Sequence, residues 1–369
     1  MKTTQDKLNE AQTRHIIYLL RWSKGTYRKH LNIINKAFSD MSYRLQSGAP
    51  ADGSFTAKRL EMMLGVAEET SKRLYKALND LVNDDYRELA AYEAAFQVRA
   101  VSSAYPIALD IRGPTPAQIH AAAMSQPFQG KVLGTWWRDQ SVSLRSHLSQ
   151  QIRLGYVEGE TISQVVRRIG DVEGMTKRNI EAVVRTATNH MADMARRKTT
   201  EANDWLFSHE EWSSTLDGRT SPICIERDGK RYKVGSGPRP PAHFNCRSVR
   251  VPVTKSWKEL GFDGMDEDEK LNTRPFVLDK RRVKDIPKSE RDSLIGRTTA
   301  KTYSEFAKSQ PLSFLEDVAG DYRAKLVKDG GLELKDLIRN GQWMTIDQIE
   351  KSESKALKSA VATVNAKDA

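Results

Sequence analysis

A long run of apolar residues spaced three and four positions apart limits the first third of the chain to helix. From Leu60 onward, one helical face carries Leu60, Leu64, Ala67, Leu74, Leu78 and Leu81. A second helix is predicted from about Glu10 to Leu45, with a core of Ile16, Leu19, Leu20, Leu31, Ile34 and Phe38. Ser71 and Asp85 interrupt the seam. The pattern therefore predicts a packed helical hairpin with a loop over residues 47–55, rather than an extended coiled coil.

The composition suits a protein that folds around a core and meets a polyanion. The 369 residues are 38% hydrophobic and 29% charged, which favours two or three folded units over disorder. The net charge of +11 favours nucleic acid as a partner, although the basic residues are spread along the chain. Two cysteines do not make a disulfide framework. No stretch has the length and apolar character of a signal peptide or membrane span, so we expect a cytoplasmic origin and no membrane partner.

Breaks in the pattern divide the chain into five predicted parts. These are an N-terminal helical region (1–109), a core of helices followed by a small β element (110–253), a linker (254–290), a C-terminal helical module (291–350) and a flexible tail (351–369). Gly113 and Pro114 mark the first boundary, and Thr115 with Pro116 predicts the next helix start. The expected fold class is α+β, mainly α.

The β element is predicted around residues 211–253. Asp217-Gly218 is a turn signal, and Asp228-Gly229 predicts a hairpin. The segment that follows Cys246 alternates in polarity, with the valines at 249, 251 and 253 on one face and Ser248 and Arg250 on the other. This alternation predicts a short, half-buried strand.

Cys224, His243 and Cys246 form the one grouping in the sequence with metal-ligand chemistry. Thiolate and imidazole ligands suit zinc, but a structural site needs four ligands, and Asp217 is the nearest candidate for the fourth. The alternative, which we favour, is a folded turn in which Asp217 pairs with Arg219 or Arg247 and His243 is hydrogen-bonded. No cofactor is then required, and zinc remains the competing interpretation.

Two functional classes compete with a purely architectural role. A metal-dependent nuclease would use the His243/Cys246 element, but neither a second histidine nor a carboxylate pair lies beside it in the sequence. A DNA-binding module would use basic runs such as Arg167-Arg168, Arg196 to Lys198 and Lys280 to Arg282. No helix-turn-helix or zinc-finger spacing accompanies these runs, so only non-specific phosphate contact is expected.

Three segments in a fixed order resemble the phage Mu F-like family of minor head, or head morphogenesis, proteins. They are "IRLGYVEGETISQVVRRI" (152–169), "RNIEAVVRTATNH" (178–190) and "STLDGRTSPICIERDGKRYKVGSGPRPPAHFNCRS" (214–248). "QPFQGKVLGTWW" (126–137) and the segment 303–338 also resemble members, so the likeness spans roughly residues 110 to 340. The motif residues are an Arg-Thr pair, an Asp-x-Arg-Thr turn and a Pro-Pro-x-His-x-x-Cys-Arg element, here Arg185, Thr186, Asp217, Arg219, Thr220, Pro240, Pro241, His243, Cys246 and Arg247.

The resemblance implies a non-enzymatic virion protein that acts in head assembly or in DNA packaging and ejection. Its implied partners are the portal and other head proteins, together with DNA held electrostatically. Its implied location is the head, inside or at the portal vertex, after assembly in the host cytoplasm. Many relatives carry further cysteines where this chain has Ser221 and Ser248, a departure that counts against zinc.

The prolines at 238, 240 and 241 predict a stiff arm. They fix φ and remove three backbone N–H donors, so the arm does not depend on a strand ladder for its shape. A rigid loop loses little entropy on docking. We therefore expect a recognition arm with Arg239 and Arg247 as its charged contacts.

Overall fold

The computed structural model describes residues 3–47, 55–263, 273–279 and 285–368, and it begins with two long antiparallel helices. Helix α1 spans Thr4–Gln46 and α2 spans Ala57–Ser102. Thr3 forms a capping box with Asp6, and the Thr56 side chain caps α2. The predicted helical hairpin is confirmed, although most of its predicted loop lies outside the described residues.

Three further helices complete the helical body: α3 (Pro116–Ser125), α4 (Leu133–Val157) and α5 (Ile162–Ala202). Helix α3 starts where Thr115 and Pro116 predict it. The chain turns at residues 158–161 between α4 and α5, and α5 then runs through Gly170 unbroken. The turn forms because Gly159 has φ +69° and Thr161 opens α5 with a capping box.

One apolar core joins α1, α2, α4 and α5 and reaches the loop that carries His243. Trp137 is buried beside Tyr75 and His30. Trp136 packs edge-on against Phe244, with ring centroids 5.0 Å apart. Both tryptophans therefore serve as anchors of the body, and Phe244 attaches the candidate loop to it.

A three-stranded antiparallel sheet packs beside the helices. Its order is β3–β1–β4, from β1 (Phe207–Ser213), β3 (Arg231–Tyr232) and β4 (Val249–Thr254). Strand β2 (Leu216–Asp217) and helix α6 (Pro222–Arg227) lie between β1 and β3 in the chain. The predicted hairpin at Asp228-Gly229 is thus wrong. That turn connects α6 to β3, and β3 pairs with β1.

Strand β4 lies where the alternation predicts a strand, but it is not half-buried as expected. Val249 and Val251 are buried, and so are Ser248 and Arg250 on the supposed polar face. The α1 and α5 helices pack near this strand, which leaves neither face of its first half in water. The alternating pattern therefore predicts the strand correctly, but its polar face, with the charge of Arg250, is buried.

Part of the predicted linker is a strand. Strand β5 (Arg274–Val277) pairs in parallel with β2 and antiparallel with β6 (Ile295–Thr298), which follows α7 (Lys288–Leu294). The acidic run 264–270 and most of the basic run 279–285 lie outside the described residues. The second sheet, β2–β5–β6, ties the C-terminal module to the candidate site through Leu216 and Asp217.

The C-terminal module has its own apolar core. It contains α8 (Tyr303–Lys308), α9 (Leu312–Ala319), α10 (Asp321–Lys328), β7 (Ile338–Arg339), β8 (Gln342–Trp343), α11 (Ile346–Glu350) and α12 (Lys355–Asp368). The expected flexible tail is α12, because Leu357, Ala360 and Val364 recur at helical spacing and are buried in this core. Small, Lys-rich composition concealed this apolar stripe.

The fold class is confirmed as α+β, mainly α, since the helices together carry most of the described residues and the sheets have only two or three strands. Within the described part, none of the helices has the combined length and apolar character needed to cross a membrane.

The burial of α12 predicts that its apolar residues stabilise the C-terminal module. Leu357→Ala should lower the free energy of unfolding by about 2–5 kcal/mol, since it leaves a cavity in a packed core. Urea denaturation measures the change. Lys358→Ala is the matched control, because Lys358 is exposed and pairs only with exposed Glu353. Equal, small effects of both substitutions would contradict a packed α12.

Candidate functional site

The structure brings Cys224, His243 and Cys246 together. Cys224 lies in α6, and His243 and Cys246 lie in the turn that precedes β4. The Cys224 Sγ is 3.3 Å from His243 Nε2 and 3.7 Å from Cys246 Sγ. Both cysteines are buried and are free thiols. The fold therefore brings into one cluster three residues that are separated in the sequence by 18 and by two residues.

The cluster is electrically polarised. The hydrogen bond between the thiols lowers the pKa of Cys246 well below its usual range and raises the pKa of Cys224. Burial opposes a charge on His243, yet the hydrogen bond and charge of Cys246 together raise the pKa of that imidazole. The His243 Nδ1 also lies 2.7 Å from the Phe244 carbonyl oxygen, which orients the ring. The arrangement suits a thiolate beside an imidazolium, or a soft metal.

The three residues fit part of a zinc site. Their ligand atoms all lie within 4.8 Å of one another, and the donor set of two thiols and one imidazole is one that zinc accepts. Asp217 does not supply a fourth ligand, because Arg247 binds both of its carboxylate oxygens. Ser221 and Ser248 stand beside the cluster, and Ser248 Oγ is 3.0 Å from Ser214 Oγ. Zinc would therefore be held by three side chains here.

Asp217 is the centre of the second interaction in the site. Its carboxylate accepts from both Arg247 and Arg219, and from the Arg219 backbone N–H at 3.0 Å. Burial alone would raise the pKa of Asp217, but the bond from Arg247 holds it below its usual value. The Tyr303 hydroxyl donates to the Asp217 carbonyl at 2.7 Å. The Asp217 carboxylate thus ties the β2 turn to the Cys246 loop, and the Asp217 backbone carbonyl adds a bond to the C-terminal module.

The Arg185-Thr186 pair of α5 forms hydrogen bonds to the His243–Cys246 turn. The Asn245 backbone N–H donates to Thr186 Oγ1 at 2.9 Å, and Arg185 donates to the Asn245 side chain at 3.2 Å. Asn189 adds a bond to the Cys246 carbonyl at 2.9 Å. Asn245 has φ +60°, a left-handed conformation that asparagine tolerates. These contacts explain why an Arg-Thr pair on a helix accompanies the loop motif.

The proline arm faces inward, contrary to the expected recognition role. Arg239 is nearly buried and binds both Asp193 and Glu210, with nitrogen–oxygen distances of 2.8 and 2.9 Å. Burial opposes its charge, but these two carboxylates raise its pKa. Pro240 and Pro241 are also buried, and Gln129 donates to the Pro241 carbonyl at 2.8 Å. The guanidinium groups of Arg239 and Arg247 are therefore bound by carboxylates within the chain.

Sequence reasoning missed most of this buried network. Arg250 is fully buried and lies 3.0 Å from Glu210, and Arg196 lies 3.6 Å from Asp193. Asp228, in the α6–β3 turn, accepts from the Ser214 and Tyr303 backbone N–H groups and from Arg274. The apolar pattern gave no signal for Asp193, because helical spacing places it away from the face that Met191 and Met194 share.

The site analysis predicts that the Asp217 pairing supports the fold more than the thiols do. Asp217→Asn should lower stability by about 3–5 kcal/mol, because it removes the charge that faces buried Arg247. Cys246→Ser should lower the free energy of unfolding by about 1 kcal/mol or less, because it removes one weak hydrogen bond. Thermal denaturation of the two variants gives the comparison.

Metal analysis of the purified protein separates the two interpretations of the cluster. If Asp217 pairing dominates, zinc should be well below one ion per chain, and a chelator should leave the unfolding midpoint unchanged. Stoichiometric zinc, with Cys246→Ser and chelation acting alike, would establish Cys224, His243 and Cys246 as ligands.

Removal of Arg239 should be among the most damaging single changes. Arg239→Ala leaves Asp193 and Glu210 buried without their shared partner, which should cost about 3–5 kcal/mol. Arg231→Ala is the control, because exposed Arg231 pairs with Glu211 at the surface and should cost about 1 kcal/mol or less. A small effect of Arg239→Ala in urea denaturation would show that the network is not needed for stability.

Comparison with known proteins identifies the region that holds the site. Residues 146–251 match the family model described as Phage Mu protein F like protein. The match is narrower than the likeness seen in the sequence, since it covers the end of α4, all of α5 and the chain through β4. No match was found among curated proteins or among solved structures. The segment from residue 146 to residue 251, with its Arg185, Asp217 and His243–Arg247 motifs, is therefore similar to the phage Mu F-like family.

Proposed function

We propose that the protein is a minor head protein of a tailed phage that acts at the portal during head assembly, DNA packaging or DNA ejection. The observation that carries the proposal is the family match over the segment that contains the ordered motifs. In that segment the motif side chains bind one another across α5, β2 and the Cys246 loop. A motif whose residues hold a scaffold together is consistent with an architectural protein.

The expected partners are the portal, other head proteins and packaged DNA. A basic chain placed near DNA would be held by release of counterions from the phosphates, without sequence preference. The site supports contact between domains within the chain, since Asp217 and Asp228 both bind Tyr303 of the C-terminal module. The surfaces that meet the portal would then lie outside the motif, on the helices or the C-terminal module.

Among the residues that the structure describes, no contact supports the nuclease alternative. A metal nuclease needs carboxylates or a second imidazole beside His243. The neighbours of His243 are two thiols, while Asp217, Asp193 and Glu210 are bound to arginines. Incubation of the protein with plasmid DNA and Mg²⁺ or Zn²⁺ tests this alternative. Cleavage that is lost in His243→Ala would replace the architectural proposal.

The proposed function predicts that the chain co-purifies with heads that contain the portal. Mass spectrometry of purified virions and of empty proheads should detect it at low copy number in both. Heads assembled without the portal should lack it or contain much less, because the portal is its proposed attachment point. Recovery from the cytosol of infected cells, with none in purified heads, would show that it is not a head component.

A further inference from the structure

The outer face of α1 carries a row of cations without acidic neighbours in sequence. Between Glu10 and Asp40 the chain has no aspartate or glutamate. The exposed cations recur at helical spacing, at Arg14, Arg21, Lys24, Arg28 and Lys36. Steps of three, four, seven and eight residues keep all five within one side of a helix. We call this row the α1 stripe.

Most of the α1 stripe is free of internal ion pairs. Within the described residues, Arg21, Lys24, Arg28 and Lys36 have no carboxylate within 4.0 Å, and Arg14 pairs only with Glu10. Lys29, beside the stripe, is held by Asp85. Charges that no carboxylate neutralises remain available to an anionic partner.

Four exposed cations in the middle of α2 show the opposite arrangement, whereas Lys58 and Arg99 near its ends have no carboxylate within 4.0 Å among the described residues. Lys72 and Arg73 pair with acids one helical turn earlier, Lys76 with an acid one turn later, and Arg87 with Asp84. These pairs make the outer face of α2 a solvated surface of mixed charge. The two longest helices of the hairpin therefore differ in charge, although their lengths and exposure are similar.

The basic runs at 167–168 and 196–198 are occupied except at Arg167, and the run from Lys280 to Arg282 lies outside the described residues. Arg168 binds Glu158 and Glu160, and Arg197 binds Glu201. Arg196 is buried within the body. Clustering along the sequence thus fails to locate free positive charge, because it ignores which carboxylates the fold brings near.

The shape and chemistry of the α1 stripe fit a phosphate backbone. Arg14 to Lys36 spans about 33 Å of helix at 1.5 Å per residue, and duplex DNA presents about one charge per 1.7 Å. Between the cations lie Gly25, Asn32 and Asn35, which are exposed and carry no apolar side chain, and Ile17, whose single apolar side chain is 52% exposed. A protein partner would call for an apolar centre with aromatic anchors, whereas DNA interfaces are polar and strongly positive.

We propose that the α1 stripe is the DNA-contacting surface of this protein and binds the phosphates of duplex DNA without reading sequence. The proposal rests on the proposed function, in which the chain lies near packaged DNA, and it identifies the surface responsible. The backbone of α1 is fixed by burial of its opposite face, including Leu19, Ile34 and Phe38. The stripe is therefore presented on a rigid support.

The test is salt-dependent binding of the full chain to a fluorescent duplex of about 30 base pairs, roughly three helical turns. The stripe variant combines Arg21→Gln, Lys24→Gln, Arg28→Gln and Lys36→Gln. The control variant combines Lys72→Gln, Arg73→Gln, Lys76→Gln and Arg87→Gln, which removes the same charge from paired positions on α2. Circular dichroism and unfolding midpoints establish that both variants fold.

The stripe variant should bind at least about tenfold more weakly at low salt, with the slope of log affinity against log salt reduced by up to about four. The control variant should bind nearly as well as the wild type. Equal weakening of both variants would show that bulk charge, not the stripe, drives binding. Polyglutamate that competes as well as DNA at equal charge would assign the stripe to an acidic protein surface instead.

The outcomes separate this inference from the proposed function. If the wild type binds duplex DNA and the stripe variant binds equally well, the surface is wrong and a head role stands. If the wild type does not bind duplex DNA at all, the stripe has no DNA function, and incorporation into heads then decides the proposed function on its own. If the stripe variant binds DNA more weakly than the wild type and is still incorporated into heads, the result supports both the proposed function and the assignment of the α1 stripe.

Discussion

Arg239 is the residue on which the arrangement of the central region depends most. Its guanidinium joins Asp193 of α5 to Glu210 of β1, and Glu210 in turn binds Arg250 of β4. A buried charge is tolerated only with good geometry and a full set of partners. Helix α5, strands β1 and β4 and the proline arm must therefore all occupy their native positions for the network to form. This network adds to the packing of Trp212, Val249 and Val251 in fixing the position of the small sheet.

The same dependence explains the conformation of the proline arm. Once Arg239 is anchored inside, the chain after it must return to α5, where Thr186, Arg185 and Asn189 hold the Asn245 turn. Cys246 then faces Cys224, and Arg247 faces Asp217. The thiol–imidazole cluster and the Asp217 pairing are thus two consequences of one anchored loop. Their closeness in space does not by itself imply a common chemical task.

The sequence predicted elements with a regular apolar period and failed where charges are buried. The α1–α2 hairpin and the start of α3 follow from spacing and capping, because both are local properties. The burial of Arg250, the pairing of β3 with β1 and the packing of α12 depend on contacts distant in sequence. For the site, the motif residues were found by resemblance, but Asp193, Glu210 and Asp228 were missed. A lone acid in a helix or turn gives no sign that it meets an arginine dozens of residues away.

Burial of charge in the centre also determines where the excess positive charge can act. In the interior, Arg196, Arg239 and Arg250 face Glu93, Asp193 and Glu210, so the buried network is close to neutral and contributes little to the net charge of +11. The excess must lie at the surface, and the paired charges on α2 and after α4 contribute little to it. Helix α1 joins both regions. Its inner face reaches the network, where Gln12 accepts from Arg196 and His15 contacts Glu93, while its outer face carries unpaired cations. Rigid attachment on one side and free charge on the other are the two properties required of a surface that holds a polyanion without reading its sequence.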